Sequence, residues 1–342
     1  MKRLLLSFLT VLCAVSLFAC GASEKNTETP TVTPKEETNM NENTEPTKQA
    51  ELTVTSTPDP TPTPTEAPKQ DENGMYYKCP AEYLSKRDGI TYAAFEHKTY
   101  YSDYCKRERG YTILLPVDYS TDKKYPVVYL LHGIFGDENS FPQDKSLPVL
   151  IGNMVADGLC EEFILVCPAM YAAGEGTAQT PAMDAEACIP YDRFATELVQ
   201  CLMPHINSTY SVRTDREGTN IGGFSMGGRE TLYTCLLYPQ YFKYVCAMAP
   251  APGITATTDK FMTHPGSLKE EEVRFEADAT IPDRIIICCG TRDSVVGTYP
   301  KSYHELFEKN GIAHYWYEVP GADHDDKTQH SGMFNFFQLI GK

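Results

Sequence analysis

Ser225 lies in the run Gly222-Gly223-Phe224-Ser225-Met226-Gly227-Gly228, after a short apolar stretch and before a helix-like one. This G-x-S-x-G spacing suits a nucleophilic serine. A sharp strand-to-helix turn presents the Oγ to substrate, and small flanking residues let the helix start close to the sheet without a Cβ clash. The Met226 N–H opens that helix, where its partial positive charge can stabilise an oxyanion. Gly-rich turns around serine also occur as plain structure, so the chemistry depends on a base and an acid placed elsewhere.

A nucleophilic serine needs an imidazole to take its proton and a carboxylate to orient that imidazole. Both follow here in the order serine, acid, base. Asp293 stands in Gly290-Thr291-Arg292-Asp293-Ser294, immediately after the apolar run 285–289, and His324 ends Pro320-Gly321-Ala322-Asp323-His324, just after the run 315–319. Each would sit at a strand's carboxyl end, on the same edge as Ser225. Rivals crowd the histidine: His314 and His330 flank it, and Asp323, Asp325 and Asp326 surround it. His314 precedes its strand and His330 begins a helix-like run, so strand-end position selects Asp293 and His324. A second oxyanion donor is expected from Tyr129-Leu130-Leu131-His132-Gly133-Ile134-Phe135-Gly136. Gly133 permits close backbone approach there, the Ile134 N–H pairs with that of Met226, and His132 supports the loop.

The elements that must hold these residues are legible as runs. Strands are expected near 111–116, 126–131, 163–167, 219–224, 244–248, 284–289 and 313–319, several of them continuously apolar, as strands covered on both faces are. Helix-like stretches at 191–206, 226–238, 299–310 and 330–340 alternate with them. The pattern predicts an open α/β sheet.

The chain begins with Lys2 and Arg3, an apolar core from Leu4 to Phe18, and Leu17-Phe18-Ala19-Cys20-Gly21. This is an export signal of residues 1–20, too short to span a membrane comfortably. Its ending resembles a bacterial lipobox, which makes Cys20 the lipidated N-terminus and places the protein on the outer face of the cell membrane. Residues 21–75 contain no aromatic residue and culminate in a Thr/Pro alternation, so they are expected to be an unfolded, semi-stiff linker. Aromatics return at Tyr76, and 76–342 is a normal length for one α/β domain. The net charge of −16 argues against a nucleic-acid partner. No C-x-x-C or His-rich spacing suggests a metal, and no cofactor is expected. Ten of the twelve cysteines remain beyond Cys20 and read as core fillers; Cys79 with Cys105 is the pair to test for a disulfide.

From about Tyr100 onward the chain resembles the putative esterase family of α/β-hydrolases, which includes feruloyl esterases, acetyl xylan esterases and S-formylglutathione hydrolases. The resemblance rests on Leu130-Leu131-His132-Gly133, on Gly223-Phe224-Ser225-Met226-Gly227-Gly228, on Gly290-Thr291-Arg292-Asp293-Ser294, and on Gly321-Ala322-Asp323-His324-Asp325 leading into Phe334-Asn335-Phe336-Phe337. It is nearest to bacterial feruloyl esterases. It implies an α/β-hydrolase fold with a mostly parallel central sheet and helices on both faces. By the same likeness Ser225 is the nucleophile, Asp293 the acid and His324 the base. The chain departs from the family just after His324, where Gln329 and His330 stand in a stretch that tends to be aromatic. Together with Phe135 and with Tyr171 in the loop 168–190, they are the expected walls of the acyl pocket. The expected activity is hydrolysis of esters on plant cell-wall polysaccharide, with release of hydroxycinnamic acids. The alternatives are an acetyl xylan or other short-chain esterase, and a non-catalytic glycan-binding lipoprotein on a hydrolase scaffold.

Overall fold

The apolar runs become the strands of one extended sheet in a computed structural model, which describes residues 69–177 and 182–342. The expected export signal, Cys20 and most of the Thr/Pro linker lie outside the described residues. In chain order the strands are β1 (Phe95–Ser102), β2 (Arg107–Leu114), β3 (Val127–Leu131), β4 (Ile164–Pro168), β5 (Thr219–Phe224) and β6 (Tyr244–Met248), a short hairpin of β7 (Thr257–Thr258) and β8 (Thr263–His264), then β9 (Arg284–Gly290) and β10 (Tyr315–Val319). Among the described residues, eight strands form the main sheet in the order β1-β2-β4-β3-β5-β6-β9-β10. β2 runs antiparallel to β1 and β4, and the rest of the sheet is parallel.

Every residue of β3, β4 and β6 is buried, which explains their continuous apolar runs. The helices are α1 (Leu147–Ala156), α2 (Ala185–Glu197), α3 (Met203–Thr209), α4 (Met226–Leu237), α5 (Tyr299–Lys309) and α6 (Asp326–Phe337). Alternation along β3 divides the core. Val127, Tyr129 and Leu131 pack with Phe194, Leu232 and Phe307 from α2, α4 and α5. Val128 and Leu130 point the other way, toward Leu150 of α1 and Phe334 and Phe337 of α6. Helices therefore cover both faces.

Several features depart from the sequence expectations. β1 is an edge strand with only Tyr100 and Ser102 buried, so it carries no apolar alternation to reveal it. α1 is buried over most of its length and carries Pro148 in its first turn, and its near-continuous hydrophobicity hides the helical period. Residues 69–75, assigned to the linker, belong to the folded unit. Met75 is buried, the Tyr76 N–H donates to Asn335 Oδ1 at 2.8 Å, and the Tyr76 carbonyl accepts from Asn335 and Ser331 on α6 at 2.9 Å. Cys79 and Cys105 are both free and belong to different core clusters, so they are not a disulfide pair. Among the described residues no helix is long and apolar enough to cross a membrane.

Candidate active site

Parallel pairing carries β5, β9 and β10 to a common carboxyl edge, with Leu131 opposite Gly223 and Val319 opposite Gly290. Ser225, Asp293 and His324 follow those three strands. Ser225 has φ 59° and ψ −118°, a strained conformation for a residue with a Cβ. The surroundings enforce it: the Ser225 N–H donates to the Met248 carbonyl at 2.9 Å, and the Ser225 carbonyl accepts from Arg229 and Ala251 at 3.0 and 2.9 Å. A Cβ on Gly227 would lie 2.0 Å from the Leu131 carbonyl oxygen, and one on Gly223 would lie 2.3 Å from that of Gly227. The two glycines thus let α4 start directly against the sheet.

The imidazole of His324 lies 2.8 Å from Asp293 Oδ2 through Nδ1, and its ring packs on Phe224 with centroids 4.4 Å apart. Asp293 Oδ1 accepts the Val295 and Val296 amides at 2.9 and 2.8 Å, and the Cys289 thiol donates to Oδ2 at 3.6 Å. Burial works against the charge on Asp293. The bond from His324 and the two amides outweigh it and hold the carboxyl below its ordinary range. An ionised Asp293 requires the proton on Nδ1, which leaves Nε2 as the basic atom. Asp323 Oδ1 accepts the Ser294 and His324 amides at 2.6 and 2.8 Å, so it ties the acid's loop to the base's loop. Cys289 and Asp323 are the site residues that sequence reasoning missed as such. Cys289 was legible only as part of an apolar strand, although it sits four residues before the acid.

On the other side of the serine, a Cβ on Gly133 would lie 3.5 Å from Ser225 Cβ, so the loop carrying Ile134 abuts the nucleophile. Met226, the first residue of α4, is buried, and Ile134 is half-buried. Burial lowers the pKa of His132 and keeps it neutral. Its Nδ1 donates to the Gly133 carbonyl at 2.7 Å, and its Nε2 accepts the Met170 N–H at 3.1 Å, as expected of a loop support. Phe135 is exposed, with φ 63°, and its N–H donates to the Tyr191 hydroxyl. Tyr171 packs edge-on against Tyr191 and lines a cavity of about 500 Å³ with Arg193 and Ile189. Gln329 is half-buried on α6. His330 Nε2 is engaged by Asp144 Oδ2 at 2.8 Å and by Ser146 Oγ at 3.0 Å, so its ring is committed to the start of α1. Of the rivals to the base and acid, His314 is bonded to His304 and the Ile312 carbonyl, and Asp325 caps α6. No group of three or more metal-ligating side chains occurs among the described residues.

A strained serine at a helix start, an acid-oriented imidazole and two backbone amides near the serine can together carry out acyl transfer. The fold and the site define an α/β-hydrolase of the serine carboxylic-ester hydrolase class. Residues 102–332, more than half of the chain, match the family described as "Putative esterase", and the chain belongs to that family. The structure of the CE1 ferulic acid esterase AmCE1/Fae1A from Anaeromyces mucronatus, in complex with ferulic acid, is similar at 43% identity and a TM-score of 0.75, covering 78% of this chain and 97% of that one. An endo-1,4-beta-xylanase/feruloyl esterase of Xylanibacter ruminicola is 25% identical over 168 residues, 48% of this chain and 22% of that protein. Endo-1,4-beta-xylanase Y of Acetivibrio thermocellus is 31% identical over 148 residues, 39% of this chain and 12% of the relative. The matches thus span less than a quarter of either xylanase's length.

Proposed function

We propose that this chain is an exported, lipid-anchored feruloyl esterase, releasing ferulic and related hydroxycinnamic acids from plant cell-wall polysaccharide. The observation that carries the reading is the 43% identity to a ferulic acid esterase across nearly that enzyme's whole length. Ser225 Oγ attacks the ester carbonyl as His324 Nε2 takes its proton, with Asp293 orienting the ring. The Ile134 and Met226 N–H groups hold the oxyanion. Collapse expels the sugar hydroxyl, which takes the proton from His324, and water then releases the acyl group from Ser225 by the reverse sequence. Phe135, Tyr171 and Gln329 supply the acyl pocket; His330, already paired with Asp144, fixes that wall through α6. The Cys20 lipid and the Thr/Pro linker hold the domain off the membrane.

The test is kcat/KM on methyl ferulate and a feruloylated arabinoxylan fragment beside acetylated xylan and 4-nitrophenyl acetate. Preference for the feruloylated substrates is expected. Preference for acetylated xylan, with negligible ferulate release, would move the assignment to an acetyl xylan esterase with the same catalytic residues. For the anchor, Cys20→Ala should shift the protein from the membrane to the soluble fraction of the producing cells; unchanged membrane association would remove it.

A further inference from the structure

Two buried charges outside the catalytic set lie behind the oxyanion loop. Arg109 on β2 is 6% exposed and Glu197, the last residue of α2, is fully buried. Arg109 Nε lies 3.6 Å from Glu197 Oε1, and the same carboxylate oxygen accepts the Tyr100 hydroxyl. Among the described residues, Arg109 Nε and Glu197 Oε2 lack a hydrogen-bond partner of good geometry, and the buried Ser102 hydroxyl is the nearest further donor to the carboxylate. A buried ion pair left partly unsatisfied is a poor device for stability. The guanidinium fork is used elsewhere: Nη1 donates to the Tyr171 carbonyl at 2.9 Å and Nη2 to the Ala169 carbonyl. A planar fork grips the two carbonyls flanking one residue in a fixed geometry that a rotatable ammonium does not impose.

The gripped residue is Met170, whose N–H donates to His132 Nε2, while His132 Nδ1 donates to the Gly133 carbonyl. That carbonyl and the Ile134 N–H belong to one planar peptide, so holding the oxygen on one side aims the N–H to the other. We propose that Arg109, backed by Glu197, is a positioning residue that sets the direction of the Ile134 N–H through Met170 and His132. The inference rests on the reading of Ile134 as an oxyanion donor. A misdirected amide loses its bond to the developing oxyanion, which is a transition-state loss and not a loss of substrate binding.

The experiment measures kcat, KM and thermal midpoint for the full chain carrying Arg109→Lys, Glu197→Gln, His132→Asn and the Arg109→Lys/His132→Asn pair, on methyl ferulate and 4-nitrophenyl acetate. Arg109→Lys should lower kcat on both substrates by about 10–100-fold, with KM within about 3-fold and the pH profile of kcat unmoved. In the His132→Asn background the same change should cost less than about 3-fold, because both act through one peptide. Glu197→Gln, which keeps the side chain's shape, should show a weaker version of the same split. The proposal is overturned by a folded Arg109→Lys variant with kcat within about 2-fold of the parent, by losses that multiply independently of His132, or by failure of both Arg109→Lys and Glu197→Gln to fold. Failure of the underlying reading looks different: the parent would spare methyl ferulate, or Ser225→Ala would retain turnover.

Discussion

Asp293 is held on both carboxylate oxygens, by His324 and Cys289 on one and by the Val295 and Val296 amides on the other. Replacing it tests orientation without touching the nucleophile. Asp293→Asn and His324→Ala should each lower kcat by about 10⁴-fold, since a misoriented or missing imidazole cannot take the serine proton. Asp323→Asn keeps the oxygen that accepts the Ser294 and His324 amides and should lower kcat by less than about 10-fold. Equal losses in kcat assays for Asp323→Asn and Asp293→Asn would transfer the acid's role to Asp323. The pairing of Asp293 with His324 was legible in the sequence because each follows an apolar run, and that position alone separated them from His314, His330 and the neighbouring aspartates. Cys289 and Asp323 were not legible in their supporting roles. A thiol inside an apolar strand reads as core, and a loop carboxylate shows its backbone partners only once two distant loops are brought together.

At the scale of elements, the turn at Ser225 depends on the absence of two side chains. Gly227→Ala would put a methyl group 2.0 Å from the Leu131 carbonyl oxygen, with backbone and not a flexible side chain in its way. α4 would have to move off β3, shifting the Met226 amide by a substantial part of an ångström. The expected outcome is a fall in kcat of about 10²-fold or more together with a lower thermal midpoint; an active variant with parental stability would show that α4 can slide freely. Buried parallel strands and the helices after them were readable from periodicity, since each carries a long apolar run or an amphipathic stripe. β1 was not, because it is an exposed edge paired only with β2. α1 was not, because a helix buried nearly all round loses its 3.6-residue signature. The β7–β8 hairpin has two residues in each strand, too few to make a pattern.

For the whole molecule, the linker boundary and one buried charge cluster set the expectations. A chain beginning at Lys69 should match the full chain in thermal midpoint and in turnover of small esters, whereas one beginning at Tyr77 should melt lower, having lost buried Met75 and the bonds of Tyr76 to α6. Equal melting of the two would make that turn dispensable. The charge cluster lies beneath the elbow, where Arg229 of α4 binds Asp192 of α2, Glu230, the Gly253 carbonyl and Ser267. Two carboxylates face one guanidinium, with Arg229 and Glu230 buried and Asp192 partly exposed at the edge of the cluster. Burial, in spite of Arg229 and with the help of Asp192, pushes the Glu230 carboxyl up to about 8 from an ordinary 4.5. The native chain therefore keeps a proton that the unfolded chain has released across that interval. Stability is fully present below about pH 4.5 and is lost progressively as pH rises to about 8. Glu230→Gln carries no ionisable proton, so the thermal midpoint of the variant should gain on the parent's across this window, by about 5 °C or more at its upper end. Differential scanning measurements at pH 5, about 6.5 and 8 decide it. A parent that gains on the variant as pH rises would mean that Glu230 is ionised against Arg229 in the native state and that the pair, not the proton, holds α4 to the loop at Gly253.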